Sequence, residues 1–139
     1  MVEVPEAFGL GQSVNEGVAG EASGKVLEAS EWSGSGYGSV PIGHSVDATL
    51  LQMAAAYGAI ANDGVYVQPH LIKDTIAPDG TVTPNTDVKT HQVISAESAR
   101  QLRTLLESVM VIPDGSGRDA RVNGYRVAGK TGTSSRLAE

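Results

Sequence analysis

Residues 124–139 read GYRVAGKTGTSSRLAE, and the tetrapeptide Lys130-Thr131-Gly132-Thr133 inside this stretch decides how the chain is read. Tyr125 and Val127 lead into it from a turn, which predicts a strand over 127–133. Gly129 and Gly132 remove side chains where another group approaches the backbone. Alternation along a strand puts Thr131 and Thr133, and so their two hydroxyls, on one face. A solvated lysine on an exposed strand carries the same tripeptide, so the segments upstream must discriminate.

Working outward, "DGSGRDARVNG" (114–124) is a Gly-rich turn region in which Gly115-Ser116-Gly117 has a geometric role. Before it, "VISAESARQLRTLLESVMV" (93–111) places Ala99, Leu102, Leu106, Val109 and Met110 on one face of a helix over 95–110, with Ser95 as its cap and Pro113 beyond its end. "VYVQPHLIKDTIAPDGTVTP" (65–84) reads as a strand, a turn at Pro78-Asp79-Gly80 and a short returning strand. "HSVDATLLQMAAAYGAIANDG" (44–64) recurs at helical spacing through Leu50, Met53, Ala54, Tyr57, Ile60 and Ala61, which predicts a helix over 49–62 with that face inward. Asp47 or Thr49 caps it, and Asn62-Asp63-Gly64 supplies residues tolerant of a left-handed exit. The first 40 residues hold neither period and read as loop, ordered by the apolar anchors Trp32, Tyr37 and Val40.

At 139 residues the chain is expected to form one unit, and with aromatics at 4% its core must draw on Ala, Val, Leu and Ile. Ten basic against 16 acidic residues, a net charge of -6, disfavour nucleic acid as a partner. Without cysteine there is no disulfide, thiolate metal site or Cys nucleophile. His44, His70 and His91 lack metal-ligand spacing, so no metal and no cofactor is expected; His44 reads as a hydrogen-bonding loop residue. No apolar run approaches a membrane span, and the N-terminus has no signal-peptide pattern.

The order of these segments resembles the class B penicillin-binding proteins. Phe8, Gly9, Gly11, Gly20, Glu21 and Gly24 fall in register with that family's Phe-Gly-Phe-Gly and Pro-Gly-Glu segments, although Ala19 replaces the Pro. Thr49, Gln52, Ala61, Asn62 and Gly64 match its following helix, and "YRVAGKTGT" its third motif. The resemblance implies an α+β fold, a partial penicillin-binding protein or serine β-lactamase-like transpeptidase domain over 1–139, with helices, a short hairpin and Lys-Thr-Gly on an edge strand. That strand should be left unpaired and the helices should leave apolar faces uncovered, and Gln52 should tie loop to helix. The implied activity of the parent is D,D-transpeptidation of peptidoglycan stem peptides, with penicillin captured as an acyl-serine, on the extracytoplasmic face of the bacterial membrane.

Within that resemblance Lys130 supplies catalytic positive charge. Thr131, Gly132 and Thr133 bind the substrate carboxylate, and the Thr133 N–H forms half of an oxyanion hole. No Ser in the chain is followed by Lys three positions later, so the family's nucleophile is absent and the chain alone is expected to be inactive. Ser13-Val14-Asn15 mimics the family's Ser-x-Asn but falls downstream of the position where that motif belongs. Two other readings stand beside the fragment: a non-catalytic peptide-binding or scaffold module, and a small serine hydrolase using Ser13 and Lys130. Expected partners are stem peptide and β-lactams for the parent, and for this chain either the remainder of the transpeptidase domain or a second copy.

Overall fold

The computed structural model describes residues 3–14, 20–32, 34 and 36–132. Asn15, Thr133 and the side chain of Tyr37, singled out in the sequence, lie outside the described residues. A short helix α1 (Glu3–Ala7) opens the chain, followed by strand β1 (Lys25–Val26), a 3-10 turn at Ala29–Glu31, helix α2 (Gly36–Ser39) and a second 3-10 turn at Val40–Ile42. Strand β2 (Val46–Asp47) returns antiparallel to β1, pairing Lys25 with Asp47 and Val26 with Val46. The described residues of the N-terminal third therefore form a meander, with the Trp32 indole N–H donating to Leu27 O at 3.0 Å.

Helix α3 (Leu50–Ala61) is capped by Thr49, not Asp47, which is engaged in β2. Thr49 Oγ1 accepts from the Gln52 backbone N–H while Gln52 Oε1 accepts from the Thr49 N–H, closing a capping box. The exit runs through Asp63 (φ 51°) and Gly64 (φ 85°). A side chain at Gly64 would strike Ile94 O, so this reversal demands glycine on both conformational and steric grounds.

Strand β3 (Val65–Val67) pairs antiparallel with β6 (Thr90–Gln92), and β4 (Asp74–Ile76) pairs with β5 (Val82–Pro84). The hairpin predicted around Asp79-Gly80 is present, with Gly80 N–H donating to Ala77 O and Thr81 N–H to Asp79 Oδ1, each at 2.9 Å. The Thr81 N–H, and then its hydroxyl, hold the Asp79 carboxyl below its ordinary range. Val65 to Val67 is separate from that hairpin and takes β6 as its partner. Pro69 lies between β3 and β4 and cannot donate to a ladder. Helix α4 (Ala96–Val111) starts at a Ser95 cap, with Ser95 Oγ accepting from Ser98 N–H, and ends at Ile112 before Pro113.

The helices are where expected, but the inward face of α3 is not. Gln52, Ala56 and Ala59 are buried, Ile60 is half-buried, and Leu50, Met53, Ala54, Tyr57 and Ala61 are exposed, Leu50 at 91%. The helix is apolar nearly all round, so periodicity does not distinguish its faces. The small side chains win the inner one because they let β3 approach closely. Among the described residues the core comprises Val14, Ala56, Ala59, Tyr66, Ala99 and Met110 with Gln52 at its centre. Tyr66, tilted against His91 at 5.0 Å, and Met110 contribute where Leu and Ile were expected. The exposed α3 face continues into an apolar cavity of about 590 Å³ whose walls include Leu10, Trp32, Val46 and Met53.

Gln52 is 1% exposed and fully engaged: Nε2 donates to Gln12 O at 2.7 Å and Ser23 O at 2.8 Å, as Oε1 accepts from Thr49 N–H. Loop and helix are tied as the sequence suggested. Gln52→Glu keeps the shape but removes both donors, and should lower stability by about 3 kcal/mol or more, since each buried carbonyl left unpaired costs about 1–3 kcal/mol. Urea unfolding of both proteins measures it; an unchanged midpoint contradicts the assignment.

Candidate active site

The Lys-Thr-Gly segment is carried by α4. Arg126 Nε donates to Glu107 Oε1 at 2.7 Å and its Nη2 pairs with Glu107 Oε2, a two-pronged ion pair that attaches the incoming chain to the helix. Three residues on, Gly129 N–H donates to Leu106 O at 3.1 Å. That donor is spent on a helix carbonyl, and residues 127–132 pair with no strand among the described residues. The strand expected over 127–133 thus forms no ladder over the described residues 127–132, where Gly129 is tied to α4 instead, because a strand enters a ladder only where an edge is present to receive it.

Met110, 6% exposed, seats this segment. A Cβ at Gly129 would stand 2.8 Å from Met110 Cε, and one at Gly117 2.5 Å from Met110 Sδ. The two glycines therefore clasp one thioether from opposite ends of the intervening turn, which is the geometric role expected for Gly115-Ser116-Gly117. Gly117 N–H reaches Val109 O at 3.3 Å and the Arg121 guanidinium donates to Met110 O, tying the turn to the helix end.

Lys130 and Thr131 emerge exposed from this support. Lys130 Nζ donates to Thr131 O at 2.8 Å and lies 3.5 Å from Thr131 Oγ1, which in turn lies 3.2 Å from Ser116 Oγ. An ammonium beside a hydroxyl suits an anion such as a carboxylate. A Cβ at Gly132 would meet nothing within 4 Å, so the backbone there is open to a ligand. The structure brings Lys130, Thr131 and Gly132 together; Thr133 lies outside the described residues.

Ser13 is elsewhere in its chemistry: its hydroxyl donates to Glu21 Oε2 at 2.7 Å while Val14 N–H donates to Glu21 Oε1 at 2.6 Å. It lines a cavity of about 540 Å³ with Glu6, Tyr66, Lys89 and His91, and Lys130 is not among the walls. His44 does not act as a side-chain hydrogen-bonder; its backbone N–H donates to Ser39 O at 3.1 Å, and the exposed ring has no partner among the described residues. Sequence reasoning missed Glu107, Arg126 and the hydroxyl of Ser116 as neighbours of the motif. Only Arg126, four residues before Lys130, carries a local signal.

Comparison with known proteins identifies the family and the fold. Residues 1–139 match the family model described as penicillin binding protein transpeptidase domain. The chain is 49% identical to penicillin-binding protein PbpB of Mycolicibacterium smegmatis over 140 residues, covering 97% of the chain and 22% of that protein. It is 32% identical to the peptidoglycan D,D-transpeptidase FtsI of Escherichia coli over 138 residues, covering 99% of the chain and 21% of the relative. A crystal structure of penicillin-binding protein 3 from Mycobacterium tuberculosis, complexed with ampicillin, superimposes with a TM-score of 0.89 at 42% identity, covering 98% of this chain and 31% of that one. The chain belongs to the penicillin-binding protein transpeptidase domain family, with a partial α+β fold. It spans about a fifth of the length of these curated relatives.

The Arg126 hydrogen bonds, and then its charge, hold the Glu107 carboxyl below its ordinary range, while Glu107 raises Arg126. A depressed acid pKa contributes stability that is fully present above the unfolded-state value and is lost as pH falls through the folded one. The clamp should therefore hold at neutral pH and release under acid. The NMR chemical shift of the Arg126 Nε–H should step as pH falls through the Glu107 titration, with a midpoint below the ordinary carboxylate range. In Glu107→Gln the acid step should disappear, and its persistence would contradict the pairing.

Proposed function

We propose that this chain is part of a peptidoglycan D,D-transpeptidase and that the Lys130–Thr131 cluster binds the carboxylate of the peptide donor or of a β-lactam. The observation that carries the reading is the exposed ammonium beside a hydroxyl, on a segment bolted to α4, in a chain matching the transpeptidase family end to end. In this mechanism a serine of the parent protein, outside these residues, attacks the penultimate D-Ala carbonyl as a lysine takes its proton. The terminal D-Ala leaves, and the amine of a second stem peptide resolves the acyl-enzyme.

Lys130 sets the positive potential that holds the substrate carboxylate and favours the nucleophile's deprotonation, and Thr131 donates to the same carboxylate. Thr133 supplies its N–H to the oxyanion, one of two such donors, each worth about 3 kcal/mol. The chain by itself has no acylable serine in this scheme. The exposed α3 face and the apolar cavity beside it are covered by the remainder of the transpeptidase domain, since burying apolar surface contributes about 25 cal/mol per Å². The assembled domain works outside the cytoplasmic membrane, where its substrate is; among the described residues no helix is long and apolar enough to cross one.

Lys130→Ala in the full-length protein should slow labelling by a fluorescent penicillin about 10- to 100-fold, the loss of a charge-assisted hydrogen bond of about 1.5–3 kcal/mol. Unchanged labelling of a folded variant contradicts the role of Lys130. A wild-type protein that takes no label at all points instead to a scaffold without chemistry.

A further inference from the structure

The contact between Ser116 and Thr131 joins two segments 15 residues apart, and both ends are anchored to the same side chain. Gly117, next to Ser116, and Gly129, two residues before Thr131, each pack against Met110. Neither hydroxyl is therefore placed by its own loop alone. The Thr131 hydroxyl has one proton and two lone pairs. The Lys130 ammonium, which has only donors, bonds Thr131 O at 2.8 Å and lies 3.5 Å from that hydroxyl oxygen. Ser116 Oγ lies 3.2 Å from the same oxygen.

We propose that Ser116 is a positioning residue for the carboxylate subsite: by donating to Thr131 Oγ1, it leaves the single Thr131 proton to point outward to an anion. The inference rests on the transpeptidase reading above and deepens it. With Ser116 donating to it and the ammonium beside it, the Thr131 hydroxyl is a committed donor, matched to a carboxylate that only accepts. Without Ser116 the hydroxyl turns between donor and acceptor roles, and the order it lacks must be imposed at the moment of binding. The effect falls on capture of the ligand more than on the chemical step.

The test uses the full-length protein and ampicillin, with the reversible binding constant and the acylation rate at saturation resolved by competition against a fluorescent penicillin. Ser116→Ala should weaken reversible binding about three- to tenfold, as expected for one neutral hydrogen bond, with the saturated rate changed by less than about twofold. Ser116→Thr, which retains the hydroxyl, should recover the binding. Wild-type binding in Ser116→Ala overturns the proposal, and so does equal weakening in both variants, which would mark a structural role. Lys130→Ala, run in parallel, separates the two levels. If it weakens capture and Ser116→Ala does not, only the role of Ser116 fails; if neither does, the reading of the site fails with it.

Discussion

One buried amide holds the N-terminal half of this chain together. Gln52 sits in the first turn of α3 and uses its two donors on Gln12 O and Ser23 O and its acceptor on Thr49 N–H. Three backbone groups that belong to no ladder are thereby satisfied by one side chain. The same residue completes the cap of α3, so the start of the helix and the path of the meander are set together. A purely apolar residue in its place would leave all three groups unpaired. Among the described residues the rest of the core is Val14, Tyr66, Met110 and three alanines, and in so small a core that is a large share of the local stability.

From α3 the constraint passes to α4, and from α4 to the site. Arg103 of α4 donates to Ile60 O at 2.6 Å and pairs with Asp63 Oδ1 at 2.7 Å, locking α4 to the exit of α3. Helix α4 then presents Glu107, Leu106 and Met110 in succession to Arg126, Gly129 and the Gly117 turn. The ion pair is largely solvent-facing on its arginine side, so it directs more than it stabilises. The steric clasp on Met110 is the firmer part. A segment held by one helix, with an exposed ammonium beside a hydroxyl, is preorganised without being buried.

Much of this was legible in the sequence, for identifiable reasons. Thr49 and Ser95 are caps with local geometry, and Pro78-Asp79-Gly80 is a turn with a local mechanism, so those elements fell within a residue or two of expectation. Lys130-Thr131-Gly132 was legible as a motif, and Gln52 as a tie between loop and helix. The inner face of α3 was not, since nearly every position from Leu50 to Ala61 is apolar and only the tertiary partner chooses among them. What receives residues 127–132 was not legible, because alternation reports a preference and cannot report whether an edge is on offer. Ser116 against Thr131 and Glu107 against Arg126 are contacts across a turn, and no period in the chain encodes them.

The central claim is that Lys130 and Thr131 form the carboxylate end of a transpeptidase site. A crystal structure of the full-length protein acylated by ampicillin tests it most directly. The account predicts the penicillin carboxylate within hydrogen-bonding distance, about 2.7–3.2 Å, of Thr131 Oγ1, with Lys130 Nζ beside it and Ser116 Oγ still on Thr131. An acyl-serine whose carboxylate lies against other residues, with the Lys130–Thr131 cluster left in solvent, would contradict it.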